Sequence, residues 1–587
     1  MILDKINELK DLKTLSLPEM EELAGEIRKA ILNRVSKIGG HVGPNLGIVE
    51  ATIAMHYVFN SPIDKIVFDV SHQCYPHKIL TGRKNGFLNQ EEFHKVSGYT
   101  NPAESEHDIF TVGHTSTSVS LACGLAKARD LKNETGNIIA VIGDGSLSGG
   151  EAFEGLDNAA ELNSNFIVIV NDNDMSIAPN YGGIYKNLKL LRDTEGKAEC
   201  NLFKALGLDY YYVKNGNNIQ ELIQAFEKVK DINHPIVVHI RTLKGKGLDY
   251  AETNKEAWHW SIPFELESGN KKIDSNTNSQ TYQEVTNKYL LKKAKEDKKV
   301  MVITPATPGV LGFTPEIRRE LGTQFIDVGI AEEHAIAYAS GLAKNGAKPV
   351  IAISSSFIQR TYDQLSQDLA MNNSGAVILV YRNGISATDM THLGGFDIPL
   401  ISNIPNLIYL APTCEEEYLS MLEWGMEQNE KSVIIRVPND MVIKRNIEVQ
   451  KDYSSINKYK IEEQGEKVAI IALGNFYSLG NKVKQKLKEN LNIKATLINP
   501  RYITGIDTKV LEGLKKEHEL VITLEDGVLD GGFGEKIARF YSSSDMKVLN
   551  FGAKKEFTDR VPLQELYQRY HLTEDLIVSD IMNIIEC

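Results

Sequence analysis

Asp144 and Asn173 are hard-oxygen donors, and each stands where a buried strand should end. The run Ile138–Ile142 breaks at Gly143-Asp144-Gly145-Ser146, and a helical stretch from Glu151 to Leu162 follows. A second apolar run, Phe166–Val170, breaks at Asn171-Asp172-Asn173-Asp174-Met175. Strand, helix and strand of these lengths make a βαβ unit, with both donors at the carboxyl ends of neighbouring parallel strands. Open α/β sheets bind ligands at that edge. Mg²⁺ wants near-octahedral oxygen ligands and takes only a few from protein, leaving the rest to phosphate and water. The Asp144 carboxylate, the Asn173 amide oxygen and a nearby backbone carbonyl, assigned to Met175, suit a metal that carries a diphosphate. Gly143 and Gly145 let the chain turn tightly and approach phosphate oxygens. A glycine-flanked aspartate alone ends many strands as a plain turn; two such motifs, each after its own apolar run, point to the metal.

The second chemically informative segment is Gly329-Ile330-Ala331-Glu332-Glu333-His334, at the end of an expected strand and the start of a helix. A glutamate there has a bland role, stabilised by the helix dipole. The GDG turn at 143–145 followed by NDN at 171–173, however, resembles the signature of thiamine diphosphate enzymes. Thiamine chemistry needs a carboxylic acid beside N1′ of the aminopyrimidine, and a glutamate kept protonated by an apolar pocket supplies one. With the metal motif in place, Glu332 becomes the catalytic candidate and Glu333 its solvated neighbour.

The elements that must position these groups recur along the chain. Apolar runs at 301–304, 350–353, 377–380, 433–435, 468–473 and 520–524 alternate with helical patterns, which implies mostly parallel sheets covered on both faces. Polar stretches at 268–280 and 445–466 divide 587 residues into three α/β domains, at 1–270, 280–447 and 460–587. A net charge of −13 argues against a general nucleic-acid or membrane partner. Five cysteines without a CxxC pair fit a reducing compartment, and neither an N-terminal apolar leader nor a bilayer-length run is present, so the cytoplasm is expected.

Nearly end to end, the chain resembles the 1-deoxy-D-xylulose-5-phosphate synthase family of transketolase-like enzymes. The resemblance is carried by Gly39-Gly40-His41, the stretch from Phe68 to Arg83 (FDVSHQCYPHKILTGR), Val112 to Ser118, the two metal motifs, the segment around Glu332, Phe357 to Gln364 and Thr391-His392. It implies the following roles. Asp144, Asn173 and the Met175 carbonyl hold Mg²⁺; His72, Gly113, His114, Thr115, Gly145, Ser146 and Lys244 contact thiamine diphosphate. Phe357 stacks on the aminopyrimidine, and Glu332 activates it. His41, His259 and His392, with Asp389 beside them, line the substrate channel and shuttle protons. Arg382 and Arg436 bind the acceptor phosphate, for which guanidinium geometry is suited, and Arg360 and Tyr362 lie near the acceptor. Left to residue type alone, His72 and His77 read as turn caps, Phe357 as core and Arg436 as a surface charge; His94, His107, His234 and His239 match no motif and read as structural.

The implied reaction joins pyruvate, with decarboxylation, to D-glyceraldehyde 3-phosphate, in a homodimer. Its product, 1-deoxy-D-xylulose 5-phosphate, feeds isoprenoid, thiamine and pyridoxal synthesis. Departures from the family pattern cluster around the acceptor. Asn439 and Asp440 follow Arg436 where a second arginine and a glycine are usual, and Asn215-Gly216-Asn217-Asn218 replaces an acid and a histidine. Asp389 to Gly394 is one residue short, Leu248 and Ser354 replace tyrosines, and the segment Asn180–Cys200 is abbreviated. One lost arginine amounts to a charge-assisted hydrogen bond of about 1.5–3 kcal/mol. A paralogue with another aldehyde acceptor or ketose donor, and a non-catalytic cofactor-binding homologue, are the alternatives; retention of Glu332, His41 and His392 speaks against the second.

Overall fold

The computed structural model describes residues 1–272, 280–439 and 441–585. The middle of the polar stretch at 268–280, Asp440 and Cys587 lie outside the described residues. The chain forms two compact units, residues 1–277 with 329–331 and residues 278–328 with 332–587.

The first unit is built on five parallel strands: β1 (Lys65–Phe68), β2 (Ile138–Gly143), β3 (Phe166–Asp172), β4 (Asp209–Val213) and β5 (Pro235–Arg241), in the order β1-β2-β3-β5-β4. Every residue of β3 is buried, as are the first five of β2. Their β-branched and aliphatic side chains feed two separate clusters: Ile139, Val141, Ile167 and Ile169 on one face, Ala140, Ile142, Val168 and Val170 on the other. Period-two side chains buried on both faces are why the runs read as continuously apolar. The helix expected over 151–162 spans Gly150–Ala159. A two-residue antiparallel pair, Gly40–His41 with Trp260–Ser261, brings His41 to the strand neighbouring His259.

The second unit holds two sheets. Six parallel strands, β6 (Val300–Thr304), β7 (Phe325–Asp327), β8 (Lys348–Ser354), β9 (Val377–Tyr381), β10 (Leu407–Leu410) and β11 (Ser432–Arg436), take the order β10-β11-β9-β8-β6-β7. Five more, β12 (Lys460–Glu463), β13 (Lys467–Ala472), β14 (Thr496–Asn499), β15 (His518–Val528) and β16 (Lys547–Ala553), run β12-β14-β13-β15-β16, with β12 antiparallel at the edge. One cluster of buried residues spans both sheets, Ile353 and Ile378 from the first and Ile471 and Val521 from the second. Helix starts follow local chemistry: Ser16 with Glu19 closes a capping box on Leu17–Ile38, and Thr281 with Glu284 does so on Tyr282–Glu296.

Candidate functional site

Asp144 leaves β2 buried, and its Oδ2 accepts from the Met175 backbone N–H at 3.0 Å and from Asn180 Nδ2 at 2.7 Å. Burial, then the neighbouring Asp172, pushes the Asp144 carboxyl up to about 7. Asp172 itself is spent: Arg192 grips both of its oxygens at 2.8 and 2.7 Å, and His239 Nε2 lies 2.8 Å from one of them. The amide oxygens of Asn173 and Asn180 are buried with no hydrogen-bond partner. Leaving such oxygens unsatisfied costs about 1–3 kcal/mol each, and two of them beside a carboxylate fit a hard cation. Among the described residues no three His, Cys, Asp or Glu side chains cluster as a metal site, so a cation here would draw on one carboxylate and neutral oxygens.

Glycine at 145 answers to a close approach, since a Cβ there would sit 2.7 Å from Ser176 Oγ. Lys244, buried, donates to the Ser176 carbonyl at 2.5 Å and lies 3.0 Å from His259 Nδ1. Burial lowers Lys244 to about 7 and holds His259 well below the usual imidazole range.

Three histidines that are far apart in sequence gather here. The His41 ring centroid lies 5.1 Å from that of His72 and 5.6 Å from that of His259, and the last two are 5.2 Å apart. The loop carrying His72 begins with Val70 and Ser71 in the left-handed region, at φ 57° and 59°, an uncommon conformation for a β-branched residue. Asp69 accepts from the Ser116 and Ser118 N–H groups at 2.9 and 3.0 Å, and Ser71 Oγ donates to the Val112 carbonyl at 2.5 Å. These bonds tie the His72 loop to the one bearing Gly113, buried, and His114 and Thr115, half-buried. Other histidines have structural partners: His77 meets Asp108 and His56 at 2.8 Å each, His107 meets Ser61 and His234 meets Asp209.

In the second unit Glu332 is buried at the first position of the helix Glu332–Lys344. Burial raises its carboxyl above the usual range, against the pull of Arg360, whose Nη1 lies 3.5 Å from Oε2. The Phe357 ring lies edge-on to His392 at 5.6 Å. His392 Nδ1 is 3.2 Å from Asp389 Oδ1 and 2.9 Å from Thr391 Oγ1. Burial would raise the Asp389 carboxyl, but the His392 contact outweighs it and holds the group at about 2. Tyr362 is half-exposed and donates to Asn403 Oδ1 at 2.8 Å. Arg382, directly after β9, is exposed with a left-handed backbone, φ 52°.

Arg436 is not the surface charge that residue type alone suggests. It is buried at the end of β11, not on the surface; Nε donates to Asp397 Oδ2 at 2.7 Å, Nη2 to Asp397 Oδ1 at 3.2 Å, and Nη1 to Asp526. Two internal carboxylates pair with the guanidinium and tie it within the unit. Asn439, where the family has its second arginine, turns its amide onto Asn383. Buried Ser354 Oγ has no hydrogen-bond partner. The asparagines at 215–218 are structural: Asn217 donates to the Gly47 carbonyl and Glu50, while Asn215 and Asn218 bond Glu221. Leu248 packs partly buried against the N-terminal core.

Two contributors had no signal of their own in the sequence. Asn180 and Tyr185 lie in the abbreviated segment, which folds into the helix Gly183–Asp193. Asn180 holds Asp144, and Tyr185 Oη donates to the Gly145 carbonyl at 3.1 Å.

Residues 3–200 and 194–242 match the family model described as 1-deoxy-D-xylulose-5-phosphate synthase. Residues 278–443 match the transketolase pyrimidine binding domain, and 457–577 the transketolase C-terminal domain. The chain is 36% identical to the 1-deoxy-D-xylulose-5-phosphate synthase of Clostridium tetani, over 99% of both chains. It is 37% identical to that of Halothermothrix orenii, over 100% of this chain and 98% of the other. A transketolase structure from Campylobacter jejuni aligns over 97% of this chain and all of that one at 16% identity, with a TM-score of 0.45. On full-length identity above one third, the chain belongs to the 1-deoxy-D-xylulose-5-phosphate synthase family.

Proposed function

We propose that the protein condenses pyruvate with D-glyceraldehyde 3-phosphate, releasing CO₂ and forming 1-deoxy-D-xylulose 5-phosphate, with thiamine diphosphate and Mg²⁺ as cofactors. The observation that carries this reading is the donor set at the carboxyl edge of the first sheet. A buried carboxylate and two partnerless amide oxygens stand there, in a chain aligned over its full length with synthases of this name.

Asp144 and Asn173 would hold Mg²⁺ together with the Met175 carbonyl, and Gly145, Ser146, His72, Lys244 and the Gly113-His114-Thr115 loop would take the diphosphate and thiazolium. When bound, thiamine diphosphate supplies an acidic thiazolium carbon and an electron sink for decarboxylation. Glu332, whose carboxyl burial raises above the usual range, would stand beside the aminopyrimidine nitrogen as a proton donor, and Phe357 would stack on that ring. Burial holds His259 neutral, and His41 and His392 would carry protons to and from the reacting oxygens. Asp389, 3.2 Å from His392 Nδ1, orients that ring.

Acceptor binding falls to Arg382, with Arg360 and Tyr362 near it. The internal pairing of Arg436 and the loss of the second arginine at Asn439 favour one second reading: the same donor chemistry with a less phosphate-dependent acceptor. A homodimer, a cytoplasmic location, supply of isoprenoid, thiamine and pyridoxal precursors, and domains at 1–270, 280–447 and 460–587 belong to the same proposal. No described helix is long and apolar enough to cross a membrane.

The test is a coupled assay with thiamine diphosphate, Mg²⁺ and pyruvate, offering D-glyceraldehyde 3-phosphate and unphosphorylated D-glyceraldehyde. Preference for the phosphorylated aldehyde, with deoxyxylulose phosphate as product, supports the first reading. Pyruvate consumption without that preference supports the second, and no pyruvate consumption sinks both.

A further inference from the structure

Asn45, in the short helix Gly43–Gly47, is fully buried, and both ends of its amide are hydrogen-bonded. Nδ2 donates to the His41 carbonyl at 2.9 Å and to the His72 carbonyl at 2.7 Å, while Oδ1 accepts from the Tyr75 backbone N–H at 2.9 Å. The partners fix which end is which. A backbone N–H can only donate and two carbonyls can only accept, so a flipped amide would set nitrogen against N–H and oxygen against two oxygens. The second contact on this frame comes from Tyr75, whose Oη accepts from the His41 N–H at 3.3 Å. Gly40 makes room for it, because a Cβ there, at φ +140°, would meet that Oη at 2.9 Å. His41 is thus held at its nitrogen by Tyr75 and at its carbonyl by Asn45, and the same Asn45 amide holds the carbonyl of His72.

We infer that Asn45 is a positioning residue that sets the separation of His41 and His72, and through it the fit of thiamine diphosphate and the proton transfers beside it. The inference rests on the functional reading above, in which His72 contacts the cofactor and His41 the substrate. Only an amide does this at Asn45. A carboxylate of the same shape would press a negative oxygen on two carbonyls, and a hydroxyl has one proton for two acceptors.

The test uses the full-length protein and the variants Asn45→Asp and Asn45→Ala. Thiamine diphosphate with Mg²⁺ is titrated calorimetrically, thermal midpoints report folding, and kcat/KM is followed across pH. Supporting partners that orient a ligating group typically contribute tenfold to a hundredfold, so each folded variant should lose at least about tenfold in cofactor affinity. In Asn45→Asp the deficit in kcat/KM should shrink as pH falls, because a protonated carboxyl regains one donor; in Asn45→Ala it should not. Affinity and kcat/KM within about twofold of wild type in either folded variant would overturn the assignment, as would a deficit in Asn45→Asp that ignores pH. If Asn45→Asp does not fold, the affinity of Asn45→Ala decides. A folded wild type that binds no thiamine diphosphate refutes the functional reading itself, a result separate from any difference between variants.

Discussion

Arg436 Nε donates to Asp397 Oδ2 at 2.7 Å, and the other side of the same guanidinium reaches Asp526, so one buried cation joins the two sheets of the second unit. Attraction to both carboxylates, opposed by burial, holds Arg436 well above its usual basicity. Removing the cation leaves two acids uncompensated. Arg436→Met is therefore expected to lose about 3–5 kcal/mol of stability, the cost of breaking a buried ion pair from one side. Urea unfolding measures it. A variant as stable as its parent but with a raised KM for the phosphorylated acceptor would return Arg436 to the substrate site.

Arg382 carries the opposite expectation. Exposed, on the turn after β9, it should matter little to folding and much to a phosphorylated acceptor. Arg382→Gln removes one charge-assisted contact, about 1.5–3 kcal/mol, or roughly tenfold to a hundredfold in acceptor KM. Steady-state kinetics with saturating pyruvate would read this directly; an unchanged KM would favour the phosphate-independent acceptor.

Glu332→Gln keeps shape and removes the acid. Loss of a general acid costs about 10²–10⁴ in turnover, while Mg²⁺-dependent cofactor binding should stay measurable. Pyruvate decarboxylation and cofactor calorimetry separate the two effects, and wild-type turnover in this variant would remove Glu332 from the chemistry.

Metal dependence should centre on Asp144. Mg²⁺ with thiamine diphosphate should raise the thermal midpoint of the wild type, since a ligand that binds only the folded state stabilises it. Asn180→Ala frees one of the two contacts on Asp144 and should weaken Mg²⁺ about tenfold. Asp144→Asn, lacking the anionic ligand, should show almost no shift in midpoint; a full shift there would place the metal elsewhere.

The pH dependence of stability should reflect buried neutral histidines. Burial lowers His77 to about 4 despite Asp108, and drives His56 and His259 down as well. For a depressed histidine the unfolded chain takes up its proton near 6.5 and the folded one does not. The contribution is thus full above 6.5 and lost as pH falls from there towards 4. For His77 the span corresponds to about 3 kcal/mol. Urea midpoints between pH 7.5 and 5 should fall more steeply in wild type than in His77→Gln; parallel slopes would contradict the burial argument.

Much of this was legible in the chain. The strand at Phe166–Asp172 and its neighbour at Ile138–Gly143 were marked by apolar runs, because side chains buried on both faces leave no polar alternation. The donors Asp144 and Asn173 were marked because glycine and asparagine punctuate strand ends. The strand expected over 520–524 shows the limit of that logic. It continues to Val528 through Glu525 and Asp526, past the end of the apolar run. Glu525 stays inside by accepting the Phe533 and Gly534 N–H groups, and Asp526 by meeting Arg436 and Asn475.

Sequence by itself therefore determined the α/β architecture, the strand-end donors and the family, since these rest on local periodicity and on motifs read along the chain. Tertiary structure alone decided that Arg436 is spent between Asp397 and Asp526, that Asn180 braces Asp144, and that Asn45 ties His41 to His72. The reason is physical: a polar side chain's role is set by which donors and acceptors are left when the chain closes around it. For Arg436 one of them lies 90 positions away, beyond the reach of any local pattern.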